Sequence, residues 1–95
     1  MTIDYIFNKA QELYDNKEYV QALELYEEAA GRGSADAMFA LGVVYLTGDG
    51  VSIDVELAKR YIAKAKKLNH PVAMFYLDII EDYSQEDFDA AEADY

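Results

Sequence analysis

The chain has 95 residues, the length of one domain, which buries roughly 65% of the surface its unfolded form exposes and so builds one modest core. It contains no cysteine, which excludes disulfides, a thiolate metal site and a cysteine nucleophile. Its formal net charge of −11 argues against nucleic acid and anionic membranes as partners, because phosphate recognition needs a basic face; self-repulsion that aids solubility, or a basic partner, fits it better.

Met1-Thr2-Ile3-Asp4 lacks the basic and then apolar start of a signal peptide. No uncharged apolar run approaches the ~20 residues that span a bilayer, so the expected location is cytoplasmic. Ile3, Ile6, Phe7, Ala10, Leu13 and Tyr14 fall on one stripe of a first helix. Thr2 is its expected N-cap, and Asp4 sits near the positive end of its dipole. Asn16-Lys17 interrupts the pattern. A second stripe through Tyr19, Ala22, Leu25 or Tyr26, and Ala29 ends at Gly31-Arg32-Gly33, where Gly33 suits a left-handed C-terminal cap.

Ser34 is expected to cap a third helix containing Ala37, Met38, Leu41, Val44 and Tyr45. Thr47-Gly48-Asp49-Gly50 reads as an open turn, and Asp54 as the cap of a fourth helix with Val55, Ala58, Tyr61, Ile62, Ala65 and Leu68 on its stripe. Asn69 can replace glycine at a C-cap, and Pro71 fits the first turn of a fifth helix, expected to run to about Tyr83. Ser84 opens a weaker final segment.

These helices repeat. A shift of 36 residues carries Ala22 to Ala58, Ala29 to Ala65, and Ala37-Met38-Phe39 to Ala73-Met74-Phe75. Self-similarity at such a period marks stacked helical hairpins. Small residues at Ala10, Ala22, Ala29, Gly42, Ala58 and Ala65 stand where paired helices would cross and let backbones approach.

The run Ala35-x-Ala37-x-x-x-Leu41-Gly42-x-x-Tyr45-x-x-Gly48-x-Gly50-Val51-x-x-Asp54-x-x-x-Ala58, followed by Tyr61 and Ala65, resembles a Sel1-like repeat over about residues 34–69. Sel1-like repeats are longer-looped relatives of the tetratricopeptide repeat. The first hairpin is closer to the tetratricopeptide form, since the Gly48–Gly50 loop adds length only to the second. In the third repeat Asp78 stands where a small residue is expected. The reading is all-α: an α-solenoid fragment of stacked antiparallel helical hairpins, with repeats at about 3–33 and 34–69 and a short third at 70–95, forming one domain over 1–95. The resemblance implies an adaptor or scaffold without catalysis.

Ala37 to Leu46 carries no charge, so the third helix is apolar on nearly all sides. Ala37, Leu41, Val44 and Tyr45 are expected to pack on its hairpin mate, leaving Phe39, Val43 and Leu46 as a second stripe. The repeat shift adds Phe75, Ile79 and Tyr83, with Phe7 and Tyr14 on the first helix. The resemblance places these positions on the concave face. The expected partner site is an apolar groove lined by Phe7, Tyr14, Phe39, Val43, Leu46, Phe75, Ile79 and Tyr83, taking a partner helix or extended segment through aromatic anchors. Cover by neighbouring repeats or by the chain's own tail is the competing reading, and homodimerisation through the same strip is another use of it.

Charge is segregated too. Lys59, Arg60, Lys64, Lys66 and Lys67 crowd the fourth helix, and acidic residues from Asp78 to Asp94 fill the end of the chain. A solvated cap explains the acidic end; the alternative is an acidic inhibitor or immunity-type protein masking a basic surface. His70 precedes Pro71 at a helix start, where capping explains it better than metal or base chemistry. The turn at Thr47–Gly50 has neither the lysine of a phosphate loop nor the ligand spacing of an EF-hand. Carboxylate pairs such as Glu27-Glu28 carry little information in so acidic a chain, and the serines lack a nucleophile-elbow context. No cofactor, metal or enzymatic activity is expected.

Overall fold

A computed structural model describes residues 2–80. Five helices follow in order: α1 (Ile3–Asp15), α2 (Tyr19–Gly31), α3 (Ala35–Thr47), α4 (Val55–Lys67) and α5 (Pro71–Ile80). Each packs on the next in the chain, so the fold is a stack of antiparallel helical hairpins. The expected reach of α5 to Tyr83, and the whole final segment, lie outside the described residues.

Side chains start the helices where the sequence predicts. The Thr2 hydroxyl accepts from the Tyr5 amide at 3.1 Å, Ser34 Oγ from the Ala37 amide at 3.1 Å, and Asp54 Oδ1 from the Leu57 amide at 3.1 Å. Each satisfies one of the amides that a helix start leaves without a partner. Helix α2 has no such bond from Glu18 and depends on packing instead.

Three helices end in one way. The Glu18, Ser34 and His70 amides reach back to the carbonyls of Leu13, Ala29 and Ala65, and the Lys17, Gly33 and Asn69 amides to those of Tyr14, Ala30 and Lys66. This is the Schellman pairing, which needs a left-handed residue at the shared position. Gly33 adopts φ 100°, Asn69 φ 64° and Lys17 φ 63°. The break at Asn16-Lys17 is therefore the same turn as the glycine-marked one, with a side chain carried at some steric cost.

The core forms two clusters. Ile6 and Ala10 of α1, Ala22, Tyr26, Ala29 and Ala30 of α2, and Ala37, Leu41 and Val44 of α3 make the first. Leu46 joins Val55, Ala58, Ile62 and Ala65 of α4 and Ala73 and Ile80 of α5 in the second. Met38 and Tyr45 pack against both. The contacts correct two expectations. Ala37, Leu41 and Val44 are buried with the first hairpin rather than chiefly against α4, because α3 is covered on two sides and its uncharged length serves both. Leu46, placed in the groove by its stripe, is 5% exposed within the second cluster.

Every small residue picked out for helix crossings is buried. Gly42 shows why. A Cβ there would lie 2.4 Å from Ile62 Cγ1, 2.9 Å from Ile62 Cδ1 and 3.0 Å from the Ala58 carbonyl oxygen. Ile62 is fully buried and has no room to withdraw.

Gly42→Ala should destabilise the protein by about 1 kcal/mol. Overpacking costs ~1–3 kcal/mol and outweighs the ~1 kcal/mol that alanine gains over glycine inside a helix. Denaturant unfolding would read the loss, and Ile62→Val should restore part of it in a double-mutant cycle. Lys17→Gly should act oppositely, raising stability by roughly 0.5–1 kcal/mol through relief of the left-handed strain. A lower unfolding midpoint for that variant would contradict this account of the turn.

Candidate partner-binding groove

A half-open groove of about 220 Å³ lies between the first hairpin and α3. Phe7, Gln11 and Tyr14 of α1 and Tyr26 of α2 form one wall, and Asp36, Phe39, Ala40, Val43 and Val44 of α3 the other, with His70 also lining it. Binding sites for small molecules usually enclose ~300–1,000 Å³. This one is of a size for a side chain.

The first wall is held by rings. Phe7 and Tyr26 lie with centroids 6.0 Å apart, Tyr14 meets Tyr26 edge-on at 6.4 Å, and Tyr19 backs Tyr14 at 5.3 Å. Tyr26 is 1% exposed, and its hydroxyl donates to Gln11 Oε1. The Tyr14 hydroxyl donates to Asp49 Oδ2, which also accepts from Thr47 Oγ1 at 3.0 Å. Burial pushes the Tyr14 hydroxyl up to about 12, helped by the Asp49 carboxylate. Burial likewise pushes Tyr26 up to about 12, with smaller contributions from Tyr14 and Asp15.

The glycine loop braces this wall. Gly50 adopts φ 79°, and a Cβ on it would lie 2.6 Å from Tyr19 Cβ. Only a bare backbone brings Asp49 within reach of Tyr14.

On the other wall Phe39 stacks on the His70 imidazole at 4.9 Å and meets Tyr76 edge-on at 5.3 Å. The expected capping role of His70 is present: its Nδ1 accepts from the Ala73 amide at 3.2 Å. Nδ1 therefore carries no proton, and Nε2–H donates to Asp36 Oδ1 at 2.8 Å. One imidazole starts α5, reaches α3 and supports Phe39.

Of the predicted groove residues, Phe7, Tyr14, Phe39 and Val43 come together here. Leu46 does not, being part of the core. Phe75 and Ile79 are 72% and 63% exposed on α5 and take no part in lining the groove. Tyr83 lies outside the described residues. Sequence reasoning missed Tyr26, Gln11, Asp36 and His70 as lining residues. It drew the face from odd-numbered helices alone, whereas Tyr26 reaches the groove from α2 and His70 from a turn. The spacing of Asp36 and His70, nearly one repeat, was the signal that could have found them.

No helix among the described residues is long and apolar enough to cross a membrane. Among those residues no group of three or more histidine, aspartate or glutamate side chains converges as a metal site would require.

Residues 16–34 and 35–70 match the Sel1 repeat family. The division falls at Ser34, the cap of α3, and α1 lies outside the match, in keeping with a first hairpin that departs from the longer-looped form. The exopolysaccharide production negative regulator of Rhizobium meliloti (strain 1021) is 42% identical over 55 residues, which is 57% of this chain and 20% of that protein. The ERAD-associated E3 ubiquitin-protein ligase component HRD3B of Arabidopsis thaliana is 41% identical over 49 residues, 52% of this chain and 8% of that protein. The corresponding HRD3 component of Candida glabrata is 44% identical over 48 residues, 50% of this chain and 6% of that protein. The chain thus spans a fifth or less of the length of these relatives. No solved structure matches it.

The two raised tyrosines make stability depend on alkaline pH. An unfolded tyrosine ionises near its ordinary value of 10.0, while Tyr14 and Tyr26 keep their protons to about 12. The folded state thus holds more protons between those values, and the contribution, complete below about 10, is lost as pH rises through about 12. Urea midpoints should fall across that window, and Tyr14→Phe should flatten the slope. A flat profile in the parent protein would refute the assignment.

Proposed function

Because this chain belongs to the Sel1 repeat family, whose repeats are protein-interaction modules and are typically non-catalytic, we propose that it holds a segment of a partner protein in the groove between its first hairpin and α3. The observation that carries this reading is a side-chain-sized groove whose aromatic walls are fixed by the protein's own contacts. Tyr14 is held by Asp49, Tyr26 by Gln11, and Phe39 by His70 and Tyr76. Walls already in place lose little conformational freedom when a ligand arrives, which favours affinity. Phe7, Tyr14 and Phe39 are the anchors, since buried aromatic contacts dominate the energetics of most interfaces.

Two of the longer relatives are named as components of a ubiquitin-protein ligase and one as a negative regulator. By analogy the chain serves as an adaptor, contributing contact rather than chemistry. The exposed apolar residues of α5, including Val72, Met74, Phe75 and Ile79, would extend the contact surface beyond the groove.

Selection of peptides from a random display library with the full chain tests this directly. Val43 is partly exposed on the groove wall and belongs to neither core cluster. Val43→Gln should therefore weaken the selected peptides at least about tenfold with the helical circular dichroism unchanged. Undiminished binding by that variant would place the partner site elsewhere.

A further inference from the structure

The chemistry of the groove narrows the class of partner. Four aromatic side chains, Phe7, Tyr14, Tyr26 and Phe39, line a space of about 220 Å³. Aromatic ring faces carry negative potential and attract cations. Asp36 adds a full negative charge to the lining, with its side chain 65% exposed. Asp49 adds another behind the Tyr14 hydroxyl.

The charge beyond the lining has the same sign. Helices α1 and α3 and the loop between α3 and α4 carry Asp4, Glu12, Asp15, Asp36, Asp49 and Asp54 against Lys9 alone, and Lys9 lies 3.5 Å from Glu12. The basic residues from Lys59 to Lys67 sit on α4, which contributes nothing to the groove lining. His70 meets Asp36 at one carboxylate oxygen, its Nε2 lying 2.8 Å from Oδ1.

Given that the groove binds a partner segment, on which this step rests, we propose that it receives an arginine side chain from an otherwise apolar stretch of that partner. The guanidinium lies among the rings and pairs with Asp36. Arginine suits the site better than lysine for two reasons. Its planar cation stacks on aromatic faces, and it is more weakly hydrated than an ammonium, so less is lost on entering a half-enclosed space. The opposed charge of the surrounding helices would also speed encounter with a segment carrying that cation.

The peptides selected with the full chain provide the test. Those whose binding is lost with Val43→Gln should be enriched in arginine beside apolar residues. Replacing that arginine by citrulline, which is nearly isosteric but neutral and carries a carbonyl oxygen in place of one guanidinium nitrogen, should weaken binding about tenfold, and lysine should fall between. Asp36→Asn should weaken the arginine peptide several-fold and leave the citrulline peptide unaffected. Its amide oxygen still accepts from His70, so thermal unfolding should change little. Groove-dependent peptides without arginine, or equal binding of the arginine and citrulline forms, would overturn the inference while leaving groove binding intact. Failure to select any peptide sensitive to Val43→Gln would remove groove binding itself, and the arginine site with it.

Discussion

Paired helices in this fold meet at distances that leave no space for large side chains at the crossing, and this sets the terms for everything else. At Gly42 a single added carbon would overlap Ile62 and touch the Ala58 carbonyl. Ala10, Ala29, Ala58 and Ala65 are completely buried at equivalent crossings. Alanine removes little apolar area from water when buried, so such contacts contribute modest hydrophobic free energy. What they supply is position. The larger buried side chains, Ile6, Tyr26, Leu41, Val55 and Ile62, provide the apolar area, and they fit because the small residues have already fixed the distance between backbones. A stack built this way transmits its geometry from one hairpin to the next, since α3 belongs to both cores.

The double duty of α3 explains features that otherwise look separate. A helix flanked on one side by the first hairpin and on the other by α4 and α5 has little surface for charge, hence its uncharged run from Ala37 to Leu46. The remaining edge, with Phe39 and Val43, forms a wall of the groove. The long glycine loop after α3 then serves the opposite wall. It folds back so that Gly50 lies against Tyr19 and Asp49 meets Tyr14. Loop, wall and core are thus one mechanical unit, and the length that distinguishes the second hairpin from the first is spent on bracing rather than on a free excursion.

Much of this was legible in the sequence because it is written in local chemistry. Caps at Thr2, Ser34, Asp54 and His70 depend on a side chain and an amide three residues away. The 36-residue repeat of small residues encodes the crossings. The groove was half legible. Phe7, Tyr14, Phe39 and Val43 follow from helical stripes, but a stripe does not say which neighbour covers it. Leu46 shares a stripe with Phe39 and Val43, yet lies close enough to α4 to be buried in the second core. Tyr26 was indistinguishable from a packing residue, and is one: its ring is buried and only its position between Phe7 and Tyr14 makes it part of the wall. Covering of that kind depends on contacts between elements, which periodicity along one helix does not contain.

His70 shows how much a turn residue can join. Its Nδ1 substitutes for the missing partner of the Ala73 amide, its Nε2–H reaches Asp36 across the repeat boundary, and its ring face supports Phe39. All three hold together in one tautomer, with Nδ1 accepting and Nε2–H donating. Retention of α5 at the end of the stack and the wall that Phe39 gives the groove are therefore tied to the same imidazole, although neither property can be seen in the residue taken alone.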